Sequence, residues 1–152
     1  MKMLFSGRHG SYDLHGNLAS IGAQQMEQVA QAVQQATADG LQIFLLCSTA
    51  QRAMQGGKIL MEKLNISKDN AVFAECLWVD DTHDGNWQER QRLVEEHLQE
   101  GTLLVVLSHH NVAQEVARLA ANMIGVTGNN IKDASYGGGW FVSPAGVTRF
   151  VP

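Results

Sequence analysis

Two near-continuous apolar runs, "LQIFLLCS" from Leu41 to Ser48 and "TLLVVLSHH" from Thr102 to His110, limit the architectures open to this chain. Apolar runs of this length bounded by turn residues describe strands buried on both faces, as in parallel sheets covered by helices. The segments around them carry the complementary period. After a brief apolar run at Met3 to Phe5, "SIGAQQMEQVAQAVQQATADG" places Ile21, Met26, Val29, Ala30 and Val33 at helical spacing, with Gly40 as the stop. "TAQRAMQGGKILMEKLN" predicts a second helix, in which Gly56 and Gly57 each cost about 1 kcal/mol relative to Ala and so demand a packing reason.

"AVFAE" predicts a third strand, ending on Glu75, and "QERQRLVEEHLQEG" a polar-faced helix closing on Gly101. "NVAQEVARLAANMIG" predicts a further helix, with Asn111 as its N-cap. The tail "YGGGWFVSPAGVTRFVP" reads as two strands joined by a turn at Ser143 to Gly146. Alternating elements of this kind predict an α/β three-layer sandwich: a mostly parallel central sheet with helices on both faces. The length of 152 residues suits one domain, 1–152, that buries roughly 70% of the surface its unfolded chain exposes.

Composition narrows the function classes. A formal net charge of −4 with 11 Lys and Arg gives no general attraction to nucleic acid or to an anionic membrane surface, so any anion must be held by a few placed cations. Cys47 and Cys76 lie apart without zinc spacing and suit a reduced setting as buried fillers. The start, "MKMLFSGRHG", lacks the apolar core of a signal peptide, and no window reaches the length of a membrane span, so a cytoplasmic protein is expected.

In a parallel sheet the functional crevice lies beyond the carboxyl ends of the strands. Three such ends carry suggestive residues: "RHG" after the first strand, "STAQR" after the second and "SHH" after the fourth. Arg8, His9, Arg52 and His109 are therefore expected to converge. Neutral imidazole is a competent nucleophile near pH 7, two guanidinium forks can hold phosphate oxygens, and a protonated second histidine can add another donor. Phosphoryl transfer through His9 needs no metal or other cofactor on this reading. Glycine at Gly7 and Gly10 is expected to let phosphate approach the backbone, and Ser48 to cap the helix that presents Arg52. The acid for the leaving oxygen is Glu75 as first choice, a role that requires partial burial to keep it protonated at neutral pH, with Asp80, Asp81 and Asp84 as alternatives.

Four blocks in order, "RHG", "LASIGAQQMEQVAQAV", "CSTAQRAMQGGKIL" and "VVLSHHNVAQEVARL", resemble the histidine phosphatase superfamily, the phosphoglycerate mutase-like fold, from Leu4 to about Ala121. The resemblance implies that His9 is phosphorylated in an intermediate, that Arg8, Arg52 and His109 form the phosphate pocket, and that Glu75 donates the proton. Ser11 stands where the family commonly has Glu or Gln, and His110 where it usually has Gly. The short segment between Glu75 and the next helix leaves no room for a lid, which makes the chain similar to the small phosphohistidine phosphatases. The implied substrate is a phosphorylated small molecule or a phosphoprotein, hydrolysed by a metal-independent phosphatase.

Aspartates at the mouth disfavour polyphosphorylated substrates, and Trp78 and Trp87 are read either as contacts for an aromatic or apolar part of a substrate or, as the commoner role, as the finish of a core edge. His15, His83 and His110 are read as loop or helix-start residues. A metal site built from His83, His109, His110 and the aspartates lacks any HxH or HExxH spacing. Gly137 to Gly139 precede a strand without a P-loop lysine and suit close packing rather than phosphate binding. The alternative function is a phosphate-binding or protein-interaction module of the same fold with weak or no turnover.

Overall fold

The computed structural model describes residues 1–38 and 40–152. A six-stranded sheet, in the order β3-β2-β4-β1-β5-β6, is built from β1 (Met3–Arg8), β2 (Gln42–Ser48), β3 (Ala71–Ala74), β4 (Thr102–Ser108), β5 (Gly139–Ser143) and β6 (Gly146–Phe150). The first four strands are mutually parallel, and β5 and β6 add an antiparallel hairpin on the β1 side. The expected sandwich is present. β1 runs three residues further than its apolar start, because Ser6, Gly7 and Arg8 all pair with β4, ending at Arg8 opposite Ser108.

Among the described residues, four α-helices cover the sheet: α1 (Ser20–Ala36), α2 (Gln51–Leu64), α3 (Trp87–His97) and α4 (His110–Ile124). On one face Met26, Val29 and Val33 of α1 and Ala53 and Leu60 of α2 pack with Phe5, Leu45, Val105 and Leu107. On the other, Val112, Val116 and Ala120 of α4 and Leu93 and Val94 of α3 pack with Leu4, Leu46, Leu104 and Val106. Alternate strand residues feed opposite layers, as the pleat requires. Ile21, expected on the buried stripe of α1, is exposed.

The paired glycines of α2 receive their reason. A Cβ on Gly56 would lie 2.9 Å from Met26 Sδ, and one on Gly57 would lie 2.8 Å from Cys47 Sγ, so α2 can approach both α1 and the sheet. The sequence places some ends wrongly. β3 stops at Ala74, and Glu75 opens a 3-10 turn instead of ending the strand. The N-cap of α4 is His109, not Asn111, which sits inside the first turn. α3 begins at Trp87, where the Asn86 side chain accepts the Glu89 N–H at 3.0 Å.

α3 is tied to α4 by Arg90, a buried cation that donates to Glu115 at 2.7 and 3.0 Å and to the Cys76 carbonyl at 2.9 Å. Among the described residues, no helix is long and apolar enough to cross a membrane.

Candidate active site

The helix after β1 lies on one face of the sheet and the helix after β4 on the other, although the two strands are neighbours. That reversal opens a crevice at their carboxyl ends. His9 leaves β1 there, with its N–H donating to the Ser108 carbonyl at 2.9 Å, and its side chain is 2% exposed.

The ring is held at both nitrogens. Nδ1 lies 2.8 Å from the Gly10 carbonyl, which can only accept, and Arg52 Nε, which can only donate, lies 3.1 Å from Nε2. These two partners fix one tautomer, with the proton on Nδ1 and a lone pair on Nε2. Burial above all, against the raising effect of the Gly10 contact and with help from the Arg52 and Arg8 charges, lowers the His9 pKa to about 4. The imidazole is therefore neutral at pH 7.

His109 faces it across the crevice, with ring centroids 5.1 Å apart. Its Nε2 is 2.8 Å from Ser48 Oγ, and that oxygen also accepts the Ala50 N–H at 3.2 Å. Ser48 thus aligns the second histidine and does not cap α2, whose N-cap is Ala50. Burial, then the neighbouring His9 and Arg52, lower the His109 pKa to about 3, so in the free protein it is neutral rather than the expected cation.

Arg8 and Arg52 complete the group. Arg8 Nη1 donates to the Ala134 carbonyl at 3.2 Å and its guanidinium lies 3.8 Å from the centre of the Tyr136 ring. The Arg52 guanidinium lies 4.6 Å from the Tyr12 ring centre. Arg8 Nε is buried without a partner among the described residues. All four strand-end residues expected to converge do so. Neither tyrosine was singled out in the sequence, although Tyr12 stands three residues after His9 and Tyr136 directly before the triple glycine.

Gly10 serves packing rather than phosphate access: a Cβ there would lie 2.5 Å from the Gly22 carbonyl oxygen of α1. Gly137 to Gly139 are also packing positions. The Gly137 N–H donates to the His9 carbonyl, and a Cβ on Gly139 would meet the Ser6 carbonyl oxygen of β1 at 2.1 Å.

The acid candidates lie in the turn and loop that follow β3, around a cavity whose lining includes none of the four strand-end residues. Glu75 is exposed rather than partly buried, and borders a cavity of about 340 Å³ with Trp78, Thr82, His83 and Asp84. Asp80 is a hub: it accepts the Thr82 and His83 N–H groups, both at 2.8 Å, and Trp78 Nε1–H at 2.8 Å. These bonds, led by Thr82, hold its carboxyl well below the usual carboxylate range, which suits it to order the loop and not to donate a proton. Asp81 and Asp84 are exposed.

Trp78 stacks on His83, with centroids 3.5 Å apart, and lies nearly parallel to His109 at 6.4 Å. Trp87 does not finish a core edge; it is exposed at the start of α3. The thiols of Cys47 and Cys76 are both pushed up by burial, as fillers should be. Among the described residues, no group of three or more His, Cys, Asp or Glu could hold a metal ion. A larger cavity of about 460 Å³ between α3 and α4 includes none of the strand-end residues.

By sequence the chain matches no family model and no curated protein. By structure it overlays on the protein histidine phosphatase SixA complexed with tungstate, with 18% identity over 98% of this chain and 94% of that one, at a TM-score of 0.66. The fold is that of the histidine phosphatases. The same fold is seen in a SixA protein of Nakamurella multipartitia, with 14% identity over 99% and 94% of the two chains and a TM-score of 0.68. It is also seen in a mycobacterial glucosyl-3-phosphoglycerate phosphatase complexed with VO3, with 15% identity over 99% and 98% and a TM-score of 0.66. In this histidine phosphatase fold, β1 and β4 are the strands whose ends carry His9 and His109.

Proposed function

We propose that the protein is a phosphatase that works through a covalent phosphohistidine formed on His9, without a metal. One observation carries the reading: an unprotonated Nε2 on a buried imidazole, oriented by the Gly10 carbonyl and ringed by Arg8, Arg52 and His109. Nε2 attacks phosphorus and the bond to the leaving group breaks, P–O in a phosphomonoester or P–N in a phosphohistidine, with the leaving oxygen or nitrogen taking a proton. Water then attacks the phosphorus, the P–N bond breaks, and phosphate leaves with His9 restored.

The two guanidinium groups offset charge on the non-bridging oxygens, and a neutral His109 donates to them from Nδ1 when Ser48 donates to Nε2. Glu75, in the turn after β3 that also carries Trp78, 6.4 Å from His109, is the donor proposed for the leaving group. The substrate is a phosphomonoester or a protein phosphohistidine. Tungstate and VO3, each bound by a neighbour of the same fold, are oxyanions comparable to phosphate, which supports anion binding by a protein of this fold.

Hydrolysis of an aryl phosphate in the presence of a chelator, inhibition by vanadate, and loss of turnover in His9→Ala test the proposal. Undiminished turnover in that variant overturns it. The exposed position of Glu75 and the ionised state of Asp80 favour a second reading, a phosphate-binding module with weak turnover. Micromolar phosphate binding with no hydrolysis across aryl, alkyl and phosphohistidine substrates would select it.

A further inference from the structure

We propose that Tyr12 is the platform for the group that carries the phosphate, and that the crevice takes a phosphorylated planar ring, aryl or imidazole, in preference to an aliphatic phosphate. The inference rests on the phosphate pocket of the proposed function and adds the class of substrate it accepts.

The nucleophile is walled by rings. The Tyr12 ring lies 5.3 Å from the His9 ring at 71°, Tyr136 lies 6.0 Å from it, and the two tyrosines meet nearly perpendicularly at 6.0 Å. Arg52 stacks on Tyr12 and Arg8 on Tyr136, so each phosphate-holding cation is continuous with an aromatic surface. Tyr12 remains 42% exposed, whereas His9 beside it is buried. In an in-line attack the leaving atom, an oxygen or an imidazole nitrogen, stands across phosphorus from Nε2, so the group it carries extends away from the buried His9 ring, on the side where Tyr12 is exposed. A flat ring covers that surface, with an offset or edge contact; a short aliphatic chain leaves it in water.

The platform is also rigid, which a merely incidental surface tyrosine need not be. The backbone of Tyr12 bridges to Leu18 in an antiparallel pair, and the turn between them is closed by Asp13 Oδ1, which accepts the His15 and Asn17 N–H groups at 2.9 and 3.0 Å. The hairpin is then pinned to the helices. Gln25 of α1 accepts the Ser11 N–H at 2.9 Å, and Gln55 of α2 accepts the Leu18 N–H at 2.6 Å while donating to Asn17 Oδ1 at 3.0 Å. A preformed platform loses little entropy when a ring settles on it.

The test is calorimetric binding of phenylphosphonate and methylphosphonate, at a pH where both are dianions, to the wild type, Tyr12→Phe and Tyr12→Leu. Neither ligand can be hydrolysed, so turnover does not enter. The expected result is tighter binding of phenylphosphonate to the wild type by roughly 2- to 12-fold, the range of one aromatic pair. The preference should persist in Tyr12→Phe and vanish in Tyr12→Leu. A tyrosine that only seats Arg52 would instead weaken both ligands alike and leave their ratio unchanged. Equal affinities in the wild type, or a preference that survives in Tyr12→Leu, overturn this inference and leave the phosphate pocket standing. Failure of both phosphonates to bind the wild type overturns the pocket as well.

Discussion

Arg52 performs two tasks from one side chain: its Nε–H donates to the lone pair of His9 Nε2, and its planar group lies against Tyr12. On the proposed mechanism the first contact occupies the electron pair that attacks phosphorus, so it belongs to the free protein and is exchanged for phosphate oxygens as substrate enters. A guanidinium can make that exchange because its remaining N–H groups form a fork matched to a phosphate edge, whereas an ammonium offers a point charge. Arg52→Lys separates geometry from charge. Loss of charge-assisted hydrogen bonds worth about 1.5–3 kcal/mol is expected to lower kcat/KM on an aryl phosphate by roughly 10- to 150-fold, read from steady-state rates. Wild-type kcat/KM in the lysine variant would show that charge alone suffices.

Glycines inside helices divide by what faces them. A Cβ on Gly22 of α1 would lie 2.1 Å from the Ser11 carbonyl oxygen, in the backbone that follows His9, whereas a Cβ on Gly56 of α2 meets side-chain atoms of Met26 and Leu107. Gly22→Ala is therefore expected to cost about 1–3 kcal/mol by overpacking and to displace the loop behind His9. Gly56→Ala sets about 1 kcal/mol of helix propensity against contacts with Met26 Sδ at 2.9 Å and Leu107 Cδ2 at 3.1 Å, side-chain atoms that can shift where backbone cannot, and should cost less than Gly22→Ala. Urea unfolding of both variants distinguishes them, and equal midpoints would refute the distinction.

The same elements mark how far the sequence could be read. The interior strands and the helical stripes were legible, because burial imposes apolar runs on β2 and β4 and a 3.6-residue period on α1 and α4. The strand-end rule also brought Arg8, His9, Arg52 and His109 together from distant parts of the chain. What escaped depends on contacts without a local pattern. The end of β3 before Glu75 is set by pairing with β2, the roles of Gly10 and Gly22 by each other, and the burial of Arg90 by Glu115 on another helix. Tyr12 carries no period and no motif; only its position above Arg52 gives it a role.

Placing two imidazoles in a crevice that burial keeps neutral ties the stability of the whole molecule to mild acid. His9 and His109 titrate at about 4 and about 3 when folded, against an ordinary value of 6.5. Between pH 6.5 and pH 4 the unfolded chain therefore binds more protons at these positions than the folded one, and stability falls as pH falls. Above pH 6.5 both states are mostly neutral there and the effect is absent. Ordinary carboxylates titrate mainly below pH 5, so the window from 6.5 to 5 isolates histidines. Each of the two rings is expected to remove about 2 kcal/mol of stability at pH 5 relative to pH 7. A His109→Gln variant, which keeps a hydrogen-bonding side chain beside Ser48 but cannot take up the proton, should show a shallower fall over the same interval. Urea midpoints measured at pH 7 and pH 5 test the sign and the assignment together. A wild type equally stable at both, or a variant with an unchanged slope, would show that these rings do not keep their depressed proton affinity in the folded protein.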